Sequence, residues 1–186
     1  VVRVFGSHKR QGAQTGIAIR NQFASVSLNT ELHEFGKGFI PSLRFLTDAY
    51  TVGYFMTSVN LFRVYFHKGQ NWQPRKIGEY VFEAFDAFQG KPGIVSTTML
   101  MDETEGLKLE ENFIMGQSHA ETFFGAMAGI LPQSDPDPIV LKAREMAPPL
   151  QKMLLSVGNQ KVSNDAGFQL AISHLTVKKW IEQNYG

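Results

Sequence analysis

The opening segment constrains the chain most. A β-branched and aromatic run, Val1 to Phe5, stops at Gly6, and a polar, basic stretch follows from Ser7 to Gly12. From about residue 13 to 26, Ile19, Phe23 and Val26 recur on one helical stripe. The pattern predicts a strand over 1–6, a loop and then a helix. That layout directs backbone N–H groups and a positive helix end at a small space beside Lys9 and Arg10, which favours an anion such as phosphate.

The alternation continues downstream. Short strands are expected at Glu31–Phe35, Ala49–Phe55, Gly93–Thr97 and Ala126–Leu131, with Ala49–Phe55 apolar enough to be buried on both faces. Helices are expected over Ser58–His67, Ile77–Phe88, Leu107–Phe124 with a break near Gly116, from Pro138 onward, and over Phe168–Gln183. A single helical turn fits Ser42–Thr47. Residues 36–41, 68–74, 99–106 and 132–138 read as loops. Pro148 and Pro149 should kink or break the helix that carries them. Five strands alternating with helices predict an α/β fold, an open parallel sheet covered on both faces.

At 186 residues the chain suits one full core. Cysteine is absent, which removes disulfides, thiolate metal sites and cysteine nucleophiles and leaves packing to hold the fold. Fifteen phenylalanines predict an aromatic core or an aromatic-lined pocket. The formal net charge of +1 offers no general argument for nucleic acid, and no nucleic-acid partner is expected. No apolar run reaches the length of a membrane span, and no signal-peptide pattern is visible.

Two common phosphate loops fail in the opening segment. Gly6 and Gly12 have five residues between them and Ala13 follows, so no nucleotide-hydrolysis loop is present; Ser7 and His8 after Gly6 break a dinucleotide fingerprint. What remains is Ser7, Lys9, Arg10, Gln14 and Thr15, with hydroxyls and cations suited to phosphate oxygens. A solvated basic loop with Thr15 as a helix cap explains the same residues.

With Val4-Phe5-Gly6-Ser7-His8-Lys9-Arg10, Asp48-Ala49-Tyr50-Thr51-Val52-Gly53, Gly90-Lys91-Pro92-Gly93-Ile94-Val95-Ser96-Thr97 and Lys142-Ala143-Arg144-Glu145, the chain resembles the flavodoxin-like NAD(P)H-dependent FMN reductase and quinone reductase family over about residues 1–157. The resemblance implies a flavodoxin-like three-layer sandwich, a five-stranded parallel sheet of order 2-1-3-4-5, with 158–186 a helical extension packed on it or on a partner chain. It implies FMN, its phosphate held by Ser7, Lys9, Arg10, Gln14 and Thr15. The flavin ring would touch Tyr54, Phe55, Met56 and Thr57 on one side and Ser96, Thr97, Thr98 and Met99 on another. The implied activity is hydride transfer from NAD(P)H to a quinone, flavin or similar small acceptor, by a cytoplasmic homo-oligomer, with no catalytic side chain required. Two other readings are a flavodoxin-like electron carrier and an interaction domain that has lost FMN. Departures lie at Gln14, at Tyr54 to Thr57, and at the bulky segment Thr98 to Met101.

The five histidines, His8, His33, His67, His119 and His174, show no metal-ligand spacing. His119 lies near Ser118 and Glu121, yet no nucleophile elbow exists, and a structural or surface role is expected. Asp102, Glu103, Glu105, Glu110 and Glu111 read as a solvated loop and helix start. Trp180 and Ile181 are expected to pack, within the chain or between chains.

Overall fold

From Ser7 the polar opening stretch is already helical. Lys9, Arg10 and Gln11 are good helix formers, and α1 (Ser7–Val26) carries them in its first turns. The computed structural model describes residues 7–90, 94–132, 135–157 and 163–186. After α1 come a hairpin of β1 (His33–Glu34) and β2 (Gly38–Phe39), then α2 (Leu43–Thr47) and α3 (Ala49–Leu61), which passes into a π-helical turn over Phe62–Phe66. α4 (Pro74–Gln89) begins with a proline at its first turn and stops at Gly90, where φ is +76°. α5 (Thr97–Leu107), α6 (Glu111–Ala128), α7 (Pro138–Val157) and α8 (Ala166–Ser173) follow. A second π-helical turn, His174–Lys178, leads into α9 (Lys179–Tyr185).

Glycine sets how the long helices pack. A Cβ on Gly12 would lie 2.3 Å from the Tyr80 carbonyl oxygen, and one on Gly16 would lie 2.0 Å from that of Ala84. Backbone therefore meets backbone, and the rising numbers on both helices show that α1 and α4 run parallel. α3 runs the opposite way: Gln22 reaches Tyr54, whereas Thr15, two turns earlier on α1, reaches His67 beyond the end of α3. α6 lies parallel to α3 through a second glycine pair. Gly53 abuts the Phe113 carbonyl and Gly116 the Tyr50 carbonyl, and further along Phe124 meets Phe62 and Phe66. One end of this four-helix body therefore gathers the starts of α1 and α4 with the finish of α3 and α6.

Between these helices lies an aromatic core. Phe23 meets Phe45 edge-on at 5.3 Å, and Phe55 stacks on Phe88 at 5.1 Å. Trp180 of α9 lies flat on Tyr50, with centroids 4.2 Å apart and planes 13° apart, and Tyr185 closes over Phe45. Each fully buried phenylalanine contributes roughly 1.5–3 kcal/mol by area removed from water, which is what holds a chain without disulfides. Trp180 and Ile181 are thus buried within the chain itself. α7 and α8 form an antiparallel pair with a smaller core of Val140, Ala143, Ala171 and Ile172 against Ala126 of α6.

These elements overturn the flavodoxin-like sandwich. Among the described residues the only sheet is the antiparallel hairpin His33–Glu34 with Gly38–Phe39, and no parallel sheet exists. The expected strand Ala49–Phe55 is the first two turns of α3. The helix does not stop at Phe55 but runs to Leu61 and into the π-helical turn that ends at Phe66, too long for a strand, and residues 49–55 are buried all round. The strand expected at Ala126–Leu131 is the last turn of α6 and the turn after it, and in the strand expected at Gly93–Thr97, residues 94–96 form no strand and Thr97 begins α5. The loop expected over 99–106 is α5, started by Ser96, whose hydroxyl accepts from the Met99 N–H at 3.1 Å. Gly116 does not break α6, because its role is close approach to α3. α7 continues through Pro148 and Pro149, which are exposed, so water can serve the carbonyls that lose an N–H donor. The strand expected over 1–6, and Lys91, Pro92 and Gly93, lie outside the described residues.

Candidate functional site

The residues assigned from sequence to one flavin site lie in three places. Ser7, Lys9, Arg10, Gln14 and Thr15 occupy the first three turns of α1. Ser7, Arg10 and Gln14 are exposed there, but Thr15 is buried, its hydroxyl 2.8 Å from the Tyr80 hydroxyl and 3.1 Å from His67 Nε2. Tyr54 and Phe55 are core residues: Gln22 Nε2 donates to the Tyr54 oxygen at 2.5 Å, and Phe55 packs on Phe85 and Phe88. Met56 and Thr57 line a groove between α3, α5 and α6 of about 520 Å³, with Asn60, Lys108, Gln117 and Glu121 at its polar edge. Ser96, Thr97, Thr98 and Met99 open α5 beyond the far end of α4, which is about 24 Å long. No shared cradle joins these groups, so they do not fit a flavin, and no step is derived through one.

The first turns of α1 nevertheless belong to a real cluster. The parallel packing of α1 and α4 brings Lys9 to Glu79, which Arg75 also reaches, with Lys76 on the same turn of α4; Arg10 lies on the exposed face of α1. The π-helical turn after α3 adds Arg63, and the loop behind it adds Lys68, held at a left-handed φ of +51°. Six cations thus share this end of the bundle with three carboxylates, Glu79, Glu83 and, toward the finish of α6, Glu121, a formal surplus of three. Glu79 serves several partners at once: His8 Nε2 at 2.8 Å, Arg75 Nε at 3.1 Å and Lys9 Nζ at 3.8 Å. The hydrogen bonds from His8 and then Arg75 hold its carboxyl below the usual carboxylate range. Arg10 and Lys68 are exposed and have no ion pair among the described residues. Two helix starts and two helix finishes meet here, so the backbone dipoles largely offset one another, and the side chains set the sign.

Aromatic groups are interleaved with these cations. Lys76 Nζ sits 4.3 Å over the Trp72 ring, and Trp72 meets Tyr80 edge-on at 5.4 Å. Beneath them the Thr15, Tyr80 and His67 chain ties α1, α4 and the end of α3 together. Burial raises the Tyr80 hydroxyl to about 12 and lowers the pKa of His67. Thr15 between them is buried, only 2% exposed. On the outer side of the π-helical turn, Tyr65 and Phe66 remain 61% and 49% exposed while resting on Phe124, with centroids 5.3 and 5.5 Å away. π-helical turns inside α-helices recur at functional sites, and this one carries Arg63, Tyr65 and Phe66 together.

Elsewhere, His119 Nδ1 lies 3.0 Å from the Tyr50 hydroxyl, a tie between α6 and α3, and burial lowers its pKa. A cavity of about 530 Å³ lies among α6, α7 and α8, lined by Gly125, Leu131, Arg144, Gln151 and Phe168. Gln151 is already engaged there, accepting from the Gly167 N–H at 2.6 Å and donating to the Ser163 carbonyl at 2.9 Å. Among the described residues neither this cavity nor the groove holds a nucleophile beside a base. No helix of the described residues is long and apolar enough to cross a membrane.

Sequence reading found Lys9 and Arg10 but missed Arg63, Lys68, Arg75 and Lys76. The signal was present: between Asp48 and Glu79 the chain holds four cations and no carboxylate, and none occurs between Ser7 and Thr30 either. The acids are concentrated instead at Asp102, Glu103, Glu105, Glu110 and Glu111. No protein-family model, curated protein or solved structure matches this chain.

Proposed function

We propose that this chain is a non-catalytic helical binding module that holds a phosphate-bearing polyanion at the end where α1 and α4 begin. The observation that carries this reading is that Lys9, Arg10, Arg63, Lys68, Arg75 and Lys76 share the end that holds Glu79 and Glu83, with Arg10, Lys68 and Arg75 exposed. Such a surplus contributes little to stability, because like charges held together repel and exposed ion pairs are worth only about 0–1 kcal/mol. It does supply an electrostatic field that raises the local concentration of an anion and its association rate.

The test is titration of inorganic polyphosphate into the protein, followed by calorimetry at low and moderate salt. The expected result is binding that weakens steeply with salt, and that falls at least tenfold in a Lys9→Glu, Arg10→Glu variant whose melting temperature is unchanged. Binding indifferent to both salt and those two charges would remove the proposal.

A further inference from the structure

Tyr65 and Phe66 give the basic end a second chemistry that simple charge attraction does not need. We infer that the polyanion is single-stranded nucleic acid, with unpaired bases stacking on Tyr65 and Phe66 while the surrounding cations hold its phosphates. The inference rests on the basic end being an anion site, and it adds the class of partner.

The ring geometry favours bases over other anionic surfaces. Tyr65 and Phe66 do not stand out on a flexible loop. Each is seated on Phe124, and Phe66 also meets Phe62 at 5.3 Å. Aromatic groups that anchor a protein in a bilayer must bury well below the headgroups, which rings already half covered by their neighbours do poorly. A pinned ring with about half its surface open suits stacking, since little motion is lost when a base settles on it. Arg63 belongs to the same turn and Lys68 to the loop after it, although the Arg63 guanidinium also donates to the Gly69 carbonyl and to Asn60 Oδ1. Duplex readout is disfavoured because stacking requires an unpaired base. The net charge of +1 hides this surface, since it sums a basic end with an acidic region elsewhere in the same chain.

The decisive experiment compares two ligands of similar charge, an oligothymidylate of about twelve nucleotides and inorganic polyphosphate of similar length, on the full chain. Both should bind with strong salt dependence, and the oligothymidylate should bind the tighter of the two. A Tyr65→Ala, Phe66→Ala variant should lose roughly tenfold or more for the oligothymidylate, the scale of one or two lost stacks, and nothing for polyphosphate. Tyr65→Phe, which keeps the ring, should bind as the parent does. If the double variant fails to fold, the contrast between Tyr65→Ala and Tyr65→Phe decides the same point. Equal losses for both ligands, or equal affinity of the parent for both, would overturn base stacking and leave the anion site standing. Absence of binding to either ligand would overturn both. Binding to phosphatidylserine vesicles without binding to oligothymidylate would overturn the nucleic-acid assignment in favour of a lipid surface.

Discussion

The two ends of the four-helix body treat charge differently. At the end where α3 and α6 begin, several charged groups have a structural task, though the Glu110 side chain makes no cap bond to α6. Asp48 caps α3 by accepting from the Tyr50 N–H at 2.9 Å, and Glu31 pairs with Arg44 at 3.5 Å. Arg20 donates to the Phe88 and Gln89 carbonyls at 3.0 and 2.9 Å and also to Phe39, closing the finish of α4 onto the hairpin. At the opposite end Glu79 is shared by His8, Lys9 and Arg75, and cations outnumber carboxylates. Charges that satisfy the fold are matched to partners inside the chain. Charges left in surplus are those that the proposed polyanion would meet.

The largest expected effect tests the scaffold on which both ends depend. Phe88→Ala should cost about 4 kcal/mol in chemical denaturation, because Phe88 is fully buried against Phe23, Phe45 and Phe55 and its loss leaves a cavity. Gly16→Ala should cost about 2–3 kcal/mol, since its Cβ would force α1 from α4. Gly106→Ala, in α5 with open space at the Cβ position, should instead stabilise by about 0.5–1 kcal/mol. Equal effects at Gly16 and Gly106 would mean that the parallel contact does not set the register of the basic end.

Acid should weaken the fold more gently. Burial lowers the pKa of His67, His119 and His174. The unfolded chain therefore takes up protons near pH 6.5 while the folded chain resists until lower pH. The stability present above about pH 6.5 is lost as pH falls through the lowered folded values, and the melting temperature should drop by a few degrees between about pH 7 and 5. A flat profile across that range would mean that these side chains are solvated. The smallest stability effect is expected at Glu79→Gln, which should tighten polyphosphate binding several-fold with little change in melting temperature. Glu110→Gln at the other end should leave binding unchanged.

Helix positions driven by strong periodicity were legible in the sequence. The helical stripe of Ile19, Phe23 and Val26 falls in α1, and of the expected stripe Val81, Phe82, Phe85 and Phe88 in α4 all but the exposed Phe82 face the core. Illegible were segments whose local signal has two physical meanings. Gly12 read as a loop residue and Gly16 as part of a helix with no special role, yet their four-residue spacing places both on one helical face where another backbone approaches. The Ala49–Phe55 run read as a buried strand because burial on all sides erases the amphipathic period, leaving length as the only discriminator. At the basic end, Lys9 and Arg10 were legible as adjacent cations, but Arg75 and Lys76 share that end through the parallel pairing of α1 with α4, and Arg63 and Lys68 through the antiparallel return of α3, which no local pattern encodes.

The most direct test is an amide-resolved NMR titration of the folded protein with inorganic polyphosphate at low salt. Shifts should concentrate in the first turns of α1, in the π-helical turn with the loop after it, and in the first turns of α4, leaving α5 and the hairpin unmoved. Shifts centred on α5, the hairpin or the groove beside Met56, or no saturable shifts at all, would contradict the assignment of the basic end as the binding surface.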